Sequence, residues 1–183
     1  MAKSKGRENL GEARSEARRR GRLAAKQRAA AEVLGVRSVT FLGFRDGELE
    51  VTIEGHTGYY AAGMNKHAHV TIDGNAGVGV AENIMSGRID IKGNASQACA
   101  ATGRGGLVVV DGNASARCGI SMKGVEIVVK GDIGHMSAFM AQSGTLVVCG
   151  DAGDALGDSI YETHIYVRGS VTGLGADCIE KEL

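Results

Sequence analysis

Two histidines are spaced so that both could bind one metal ion. His67 and His69, in the stretch KHAHV, are two residues apart and so would share one face of a strand. Neutral imidazole nitrogens bind zinc and other transition metals, but a protein site needs at least a third ligand. No third ligand accompanies this pair in the sequence, so we favour structural surface histidines over a metal site.

Three aspartates in GDAGDALGDS offer oxygen ligands of the kind that calcium prefers. They are Asp151, Asp154 and Asp158. The segment lacks the GGxGxD nonapeptide repeat of calcium-binding β-rolls. Turn-forming aspartates are therefore favoured over a calcium site.

Four cysteines raise the question of zinc or redox chemistry. Cys99, Cys118, Cys149 and Cys178 show no CxxC spacing, so neither a zinc site nor a redox pair is indicated. Cys99 and Cys118 are 19 residues apart, and the repeat described below would stack them in neighbouring coils. We predict packed thiols there rather than a disulfide. Cys149 stands at an outward position and is the more reactive candidate.

Glycine-rich segments such as GNAGVG and GRGG resemble phosphate-binding loops only in composition. They follow strand patterns, but no helix pattern opens after them and no Lys-Ser/Thr pair closes them. No Ser-His-Asp set or convergent carboxylate pair can be assembled either. We therefore expect no catalytic residue, no metal ligand and no cofactor-binding residue on this chain.

A repeat of constant length organises the residues that could carry chemistry. One glycine returns every 19 residues, and we call these positions the column glycines. They are Gly55, Gly74, Gly93, Gly112, Gly131, Gly150 and Gly169. A constant period without insertions is typical of a solenoid, whose repeats bury their apolar faces only by stacking.

Aliphatic residues precede each column glycine at two alternate positions. Four residues before it stand Val51, Val70, Ile89, Val108, Ile127, Leu146 and Ile165; two before it stand Ile53, Ile72, Ile91, Val110, Val129, Val148 and Val167. This alternation predicts half-buried strands with both columns inward. No antiparallel hairpin signal separates the repeats. We predict an all-β fold over residues 38–183: a single right-handed parallel β-helix of about seven 19-residue coils.

The residues between the inward columns should face solvent. Three positions before the column glycine, the last four coils form an apolar stripe of Val109, Val128, Val147 and Tyr166. A contiguous apolar patch on a soluble chain marks an interface, so this stripe is our candidate subunit contact. One position after the glycine, Asn75, Asn94 and Asn113 could form a stacked amide ladder.

A column of small residues lies seven positions after each column glycine. It consists of Ala62, Ala81, Ala100, Gly119, Ala138, Gly157 and Ala176. Uniformly small side chains predict close backbone approach inside each coil.

Residues 1–37 differ from the rest in charge. They hold 11 Lys and Arg against four Glu, a net charge of +7, and the remaining residues carry −7. Residues 8–34 are rich in helix formers, which predicts a helical arm. Arg18, Arg19, Arg20 and Arg22 could bind nucleic acid, belong to a solvated disordered tail, or help a helix to dock on a partner subunit or on the acidic solenoid. Without interleaved aromatics or a reader motif, docking is favoured over nucleic-acid binding.

The chain contains no run of about 18 apolar residues and no apolar region of a secretory signal. We therefore expect a soluble cytoplasmic protein that binds neither nucleic acid nor membrane.

With the 19-residue glycine pattern in view, residues 38–179 resemble the glycine-repeat (GXGXG) β-helix domain at the C-terminal end of the glutamate synthase large subunit. Formylmethanofuran dehydrogenase carries a related domain. Stretches such as NKHAHVTIDGNAGVGVAENIMSGRIDIKGNASQ, RCGISMKG, GHMSAFMAQSGTLVVCGDAGDALGDSIYE and LGADC are similar to the small glutamate-synthase-like subunit of N-methylglutamate synthases. Residues 1–37 lie outside the resemblance.

The resemblance implies a structural subunit without catalytic residues. It would scaffold a class II glutamine-amidotransferase-like subunit and an FMN-binding glutamate-synthase-like subunit, with FMN and an iron–sulfur cluster on a partner. The enzyme would be a methylamine–glutamate N-methyltransferase, which makes N-methylglutamate and ammonia from methylamine and glutamate. The alternative is a free-standing subunit of a split glutamate synthase, which makes glutamate from glutamine and 2-oxoglutarate.

Overall fold

A computed structural model describes residues 38–45 and 48–181, and their side chains from Leu49 onward. These residues are all-β and contain no helix. No apolar helix long enough to cross a bilayer occurs in this part of the chain. The predicted helical arm and its arginines Arg18, Arg19, Arg20 and Arg22 lie outside the described residues.

Eight strands form one sheet in sequence order. They are β1 (Ser38–Arg45), β2 (Glu48–Glu54), β3 (His69–Asp73), β4 (Arg88–Ile91), β5 (Leu107–Val110), β6 (Lys123–Val129), β7 (Ser143–Val148) and β8 (Glu162–Val167). From β2 to β8 each strand pairs in parallel with the next. Val70 is paired with Val51 on one side and Ile89 on the other, so the register follows the 19-residue repeat.

The chain is a parallel β-solenoid of about six turns, where the repeat predicted seven. The difference arises because the seven parallel strands β2 to β8 are joined by six connections, each of which completes one turn. After Val167 no further strand follows in the described residues. The right-handed winding stays a prediction.

The first strand departs from the predicted parallel pattern. β1 pairs with β2 in antiparallel orientation, with Ser38 opposite Glu54 and a register shift between Phe41 and Gly43. The strand falls outside the 19-residue period, so the repeat could not reveal it. The dipeptide Asp46-Gly47 between the two strands is a strong hairpin signal and could have done so.

Both predicted inward columns lie in the core. Ile72, Ile89, Ile91, Val108 and Ile127 are fully buried. A third buried column stands two residues after the column glycine, where isolated parallel bridges join successive coils. It includes Ala76, Ala95, Ala114, Ile133 and Ala152. Side chains from opposite walls of each coil therefore share one continuous core.

Residues five, seven and nine positions after each of the first six column glycines adopt left-handed backbone angles, which non-glycine residues seldom do. In the small-residue column, Ala81, Ala100 and Ala138 have φ of 53–58° and are fully buried. The backbone hydrogen bonds alternate in direction there: Ala81 N–H donates to Ala61 in the preceding coil (2.9 Å), and Asn83 N–H donates to Ala101 in the following coil (2.8 Å). The inward direction explains why these residues are small, since Met64, Arg117 and Met140 adopt the same left-handed φ with large side chains.

We expect Ala138→Leu to lower the free energy of unfolding by about 1–3 kcal/mol, because a larger side chain overpacks a site without free volume. Thermal unfolding followed by circular dichroism would measure the loss. Ala155→Leu is a matched control, since Ala155 has the same left-handed backbone (φ 53°) but is only half-buried. An Ala138→Leu variant as stable as the wild type would refute the inward packing of this column.

Five residues that each follow a column glycine accept a backbone N–H of the next coil through a side-chain oxygen; we call them the asparagine–aspartate column, and they are Asn75, Asn94, Asn113, Asp132 and Asp151. Asn94 N–H donates to Asn75 Oδ1 (2.8 Å), and Asn113 N–H donates to Asn94 Oδ1 (2.8 Å). The series continues through Asp132, Asp151 and Ser170. The predicted amide-to-amide ladder is therefore replaced by side-chain-to-backbone bonds, which satisfy N–H groups beyond the ends of the strands.

Candidate subunit-docking face

The outer face of the sheet carries the side chains that alternate with the inward columns. Its composition changes along the solenoid. The strands β3 and β4 present polar and charged groups, including His69, Arg88 and Asp90, whereas β5 to β8 present the apolar stripe. The two parts differ in chemistry although they share one register.

Asp90 is the centre of a cluster with Arg88 and His69. Arg88 Nε donates to Asp90 Oδ2 (2.7 Å) and Arg88 Nη2 donates to Oδ1 (2.8 Å), a two-pronged ion pair. His69 Nε2 lies 2.6 Å from Asp90 Oδ2 and must carry the proton when the carboxylate is ionised. Asp90 was predicted to face solvent, yet it is only 5% exposed, because these two side chains contact it on the outer face.

Hydrogen bonds stabilise the ionised form of Asp90 in this cluster. The Arg88 hydrogen bonds lower the pKa of Asp90 below its ordinary value against the opposing effect of burial, and the His69 hydrogen bond adds to the lowering. The same Asp90 bond raises the pKa of Arg88. The cluster was not predicted. Its sequence signal was available, because His69 and Arg88 occupy one column of the repeat and Asp90 follows Arg88 by two residues.

We expect Asp90→Asn to lower the stability at neutral pH, and the difference from the wild type to shrink as the pH falls below about 4. The pKa of Asp90 is lowered in the folded chain, so its contribution is present above the unfolded-state pKa and is lost as the carboxylate becomes protonated. Urea unfolding at pH 7 and pH 3 would measure this. Asp73→Asn, at an exposed carboxylate of the preceding strand, is the control; a pH-independent difference for Asp90→Asn would contradict the assignment.

A second charged group flanks the apolar stripe. Lys92 Nζ and Lys130 Nζ lie 3.4 Å and 2.6 Å from the Asp111 carboxylate, as expected for cross-strand partners in one outward column. The Lys130 contact, more than the Lys92 contact, lowers the pKa of Asp111. Since both lysines are exposed, these ion pairs define the border of the stripe and contribute little to stability.

The four residues of the predicted apolar stripe form one row across β5 to β8. Val109 pairs with Val128, Val128 with Val147, and Val147 with Tyr166. The three valines are half-buried, and Tyr166 is 40% exposed. At about 4.8 Å per strand the row is about 14 Å long. The structure thus brings these four residues together on the surface.

The other candidate groups are dispersed. His67 contacts the Ser86 hydroxyl, and His69 contacts Asp90, so the two histidines have different partners. Asp151 accepts hydrogen bonds from the Ser170 backbone and hydroxyl, which lower its pKa. Within residues 38–45 and 48–181, no three His, Cys, Asp or Glu side chains are close enough together to hold a metal ion.

The predicted packing of the two central cysteines is confirmed. Cys99 and Cys118 are both fully buried and both are free thiols. A hydrogen bond with Cys118, together with burial, raises the pKa of the Cys99 thiol well above its ordinary value. Cys149 is half-buried, and Cys178 has a pKa raised by partial burial.

The fold is a β-solenoid whose outer sheet face carries a charged cluster on β3 and β4 and an apolar row across β5 to β8. A segment of 29 residues is 69% identical to Protein GlxC of Rhizobium meliloti (strain 1021); it covers 16% of this chain and 13% of GlxC. The match is confined to this short segment, so it shows a local similarity to GlxC and assigns no family, subunit or domain. No protein-family model matches the chain.

Proposed function

We propose that this chain is the non-catalytic structural subunit of a cytoplasmic N-methylglutamate synthase, which makes N-methylglutamate and ammonia from methylamine and glutamate. It would hold a class II glutamine-amidotransferase-like subunit against an FMN-binding glutamate-synthase-like subunit. FMN and the iron–sulfur cluster would belong to the latter. The sequence resemblance and the 29-residue match to GlxC support this assignment.

The observation that carries the proposal is the apolar row on a rigid sheet. Val109, Val128 and Val147 are fixed at both sides by parallel strand pairing, and each inward neighbour, such as Ile127, is fully buried. The row is therefore preorganised, and little conformational entropy would be lost when a partner covers it. An apolar centre with the charged border of Lys92, Asp111 and Lys130 has the composition of a subunit interface.

Purification of the tagged chain from its native cell, followed by mass spectrometry of the accompanying proteins, tests the assembly. The expected result is a stable complex with an amidotransferase-like and an FMN-binding chain. A chain that purifies alone under mild, low-salt conditions would contradict the scaffold role.

The substrates decide between the two enzymes. The purified complex is expected to consume methylamine with glutamate and to release ammonia. If it consumes glutamine and 2-oxoglutarate instead, the chain belongs to a split glutamate synthase. Turnover by the isolated chain would contradict both assignments.

A further inference from the structure

The C-terminal end of the solenoid exposes side chains that earlier coils bury. Ile165 and Val167 of β8 occupy the two inward columns but are partly exposed, whereas Leu146 and Val148 of β7 are at most 1% exposed. The last segment adds three exposed apolar residues, of which Ile179 is 77% exposed. We call the C-terminal end surface the set Ile165, Val167, Val171, Leu174 and Ile179.

The backbone at this end is open as well. β8 pairs with β7 along one edge, and no strand of the described residues pairs with its other edge. An unpaired edge next to exposed apolar side chains invites association, so proteins usually cover such an edge. A further coil or another segment would complete the core at this position.

Acidic charge is concentrated at the same end. Residues 151–181 hold six Asp and Glu against two Lys and Arg, a net charge of −4, whereas the 102 residues 49–150 carry only −1. Glu162, Asp177 and Glu180 are all exposed. A segment that covers the C-terminal end surface must therefore be basic and must carry apolar or small side chains. Two copies meeting end to end would instead bring two acidic surfaces together.

Residues 1–37 have the required chemistry, with a net charge of +7 and an alanine-rich sequence that includes Leu10 and Leu23. They join the solenoid at Ser38, the first residue of β1, which pairs with Glu54 of β2. β1 lies seven strand spacings from β8. That distance is about 34 Å. A segment of this length spans about 55 Å even as a helix, so it can reach the opposite end.

We propose that residues 1–37 dock on the C-terminal end surface of their own chain. Basic side chains would face Glu162, Asp177 and Glu180, and Leu10, Leu23 and the alanines would cover Leu174 and Ile179. The contact would be sensitive to salt because its charged rim is exposed to solvent.

Limited trypsin digestion of the full-length chain tests the proposal through the cleavage rate at Arg18, Arg19, Arg20 and Arg22. At low salt we expect at least fivefold slower cleavage in the wild type than in the triple variant Glu162→Gln, Asp177→Asn, Glu180→Gln. Half-molar salt should remove most of the difference. The matched control is Asp73→Asn, Glu82→Gln, Glu126→Gln, which neutralises three carboxylates outside residues 151–181 and should cleave like the wild type.

Carbodiimide cross-linking identifies which copy supplies the arm. Lys26 should cross-link to Asp177 or Glu180 within one chain, at a rate independent of protein concentration. A mixture of ¹⁴N- and ¹⁵N-labelled chains separates intramolecular from intermolecular products by mass. Equal cleavage of the wild type and the end variant would overturn the proposal. So would mixed ¹⁴N–¹⁵N peptide pairs that make up about half of the cross-links from an equal mixture, which would place the arm on a second copy.

Discussion

Replacing Gly131 with alanine is expected to lower the free energy of unfolding by about 2–4 kcal/mol, a loss that combines overpacking with a broken hydrogen bond. Gly131 does not have a positive φ, so its backbone would tolerate alanine. The cost comes from contacts. A Cβ atom at this position would overlap Asn113 Oδ1 and would lie 2.9 Å from the Gly112 carbonyl oxygen of the preceding coil.

Neither neighbour of Gly131 can move freely. Asn113 Oδ1 accepts the backbone N–H of Asp132 (2.9 Å), and the Gly112 carbonyl accepts the N–H of Gly131 itself (3.0 Å). Displacing the amide would leave the Asp132 N–H without its partner. The column glycines and the asparagine–aspartate column therefore depend on each other. Because Gly131 has no side chain, the Asn113 amide has room to bond the backbone of the next coil.

Urea unfolding followed by circular dichroism would measure the effect, with Gly58→Ala as the matched control. A Cβ at Gly58 would meet no atom within 4 Å, so this variant should unfold within about 0.5 kcal/mol of the wild type. Equal destabilisation by the two substitutions would show that the loss of glycine itself, and not the contact with Asn113, determines the cost.

Val128→Asp is expected to weaken assembly with the partner subunits by about 2 kcal/mol or more, roughly a 30-fold loss of affinity, if the apolar row is the docking face. Val128 is the most useful position because it pairs with Val109 and Val147 inside the row. A carboxylate there would lose its hydration on binding and would place a charge at the centre of an apolar contact.

The matched control is Thr71→Asp, the same substitution in the same outward column but outside the apolar row. Isothermal titration with the purified partner subunits would compare the two variants, and circular dichroism would verify that both are folded. If Thr71→Asp weakens binding as much as Val128→Asp, the docking face does not lie on the apolar row.

Much of this fold could be predicted because one period governs it. Val70 and Ile72 indicate a strand with one face inward, and their counterparts at 19-residue intervals fix the pairing partners and the parallel orientation. The apolar row follows from the same alignment, since residues in one column must lie beside each other. Periodicity therefore predicts position and register well.

The repeat predicts contacts between residues of different columns less well. Asp90 stands in an outward column yet is buried, because its partners come from another column: Arg88 of its own strand and His69 of the preceding one. The left-handed φ of Ala100 and Ala138 could not be predicted from the sequence either, because alanine is not typical of that conformation. β1 was missed because it has no counterpart in the repeat.

The bonds of the asparagine–aspartate column all point the same way. Each side-chain oxygen accepts from the following coil, so the carbonyl dipoles of Asn75, Asn94 and Asn113 are aligned with their negative ends toward the C-terminus. Asp132 and Asp151 extend the series with carboxylates. The rod therefore has an electrical polarity along its axis, and a charged molecule that approaches it meets two ends of different potential.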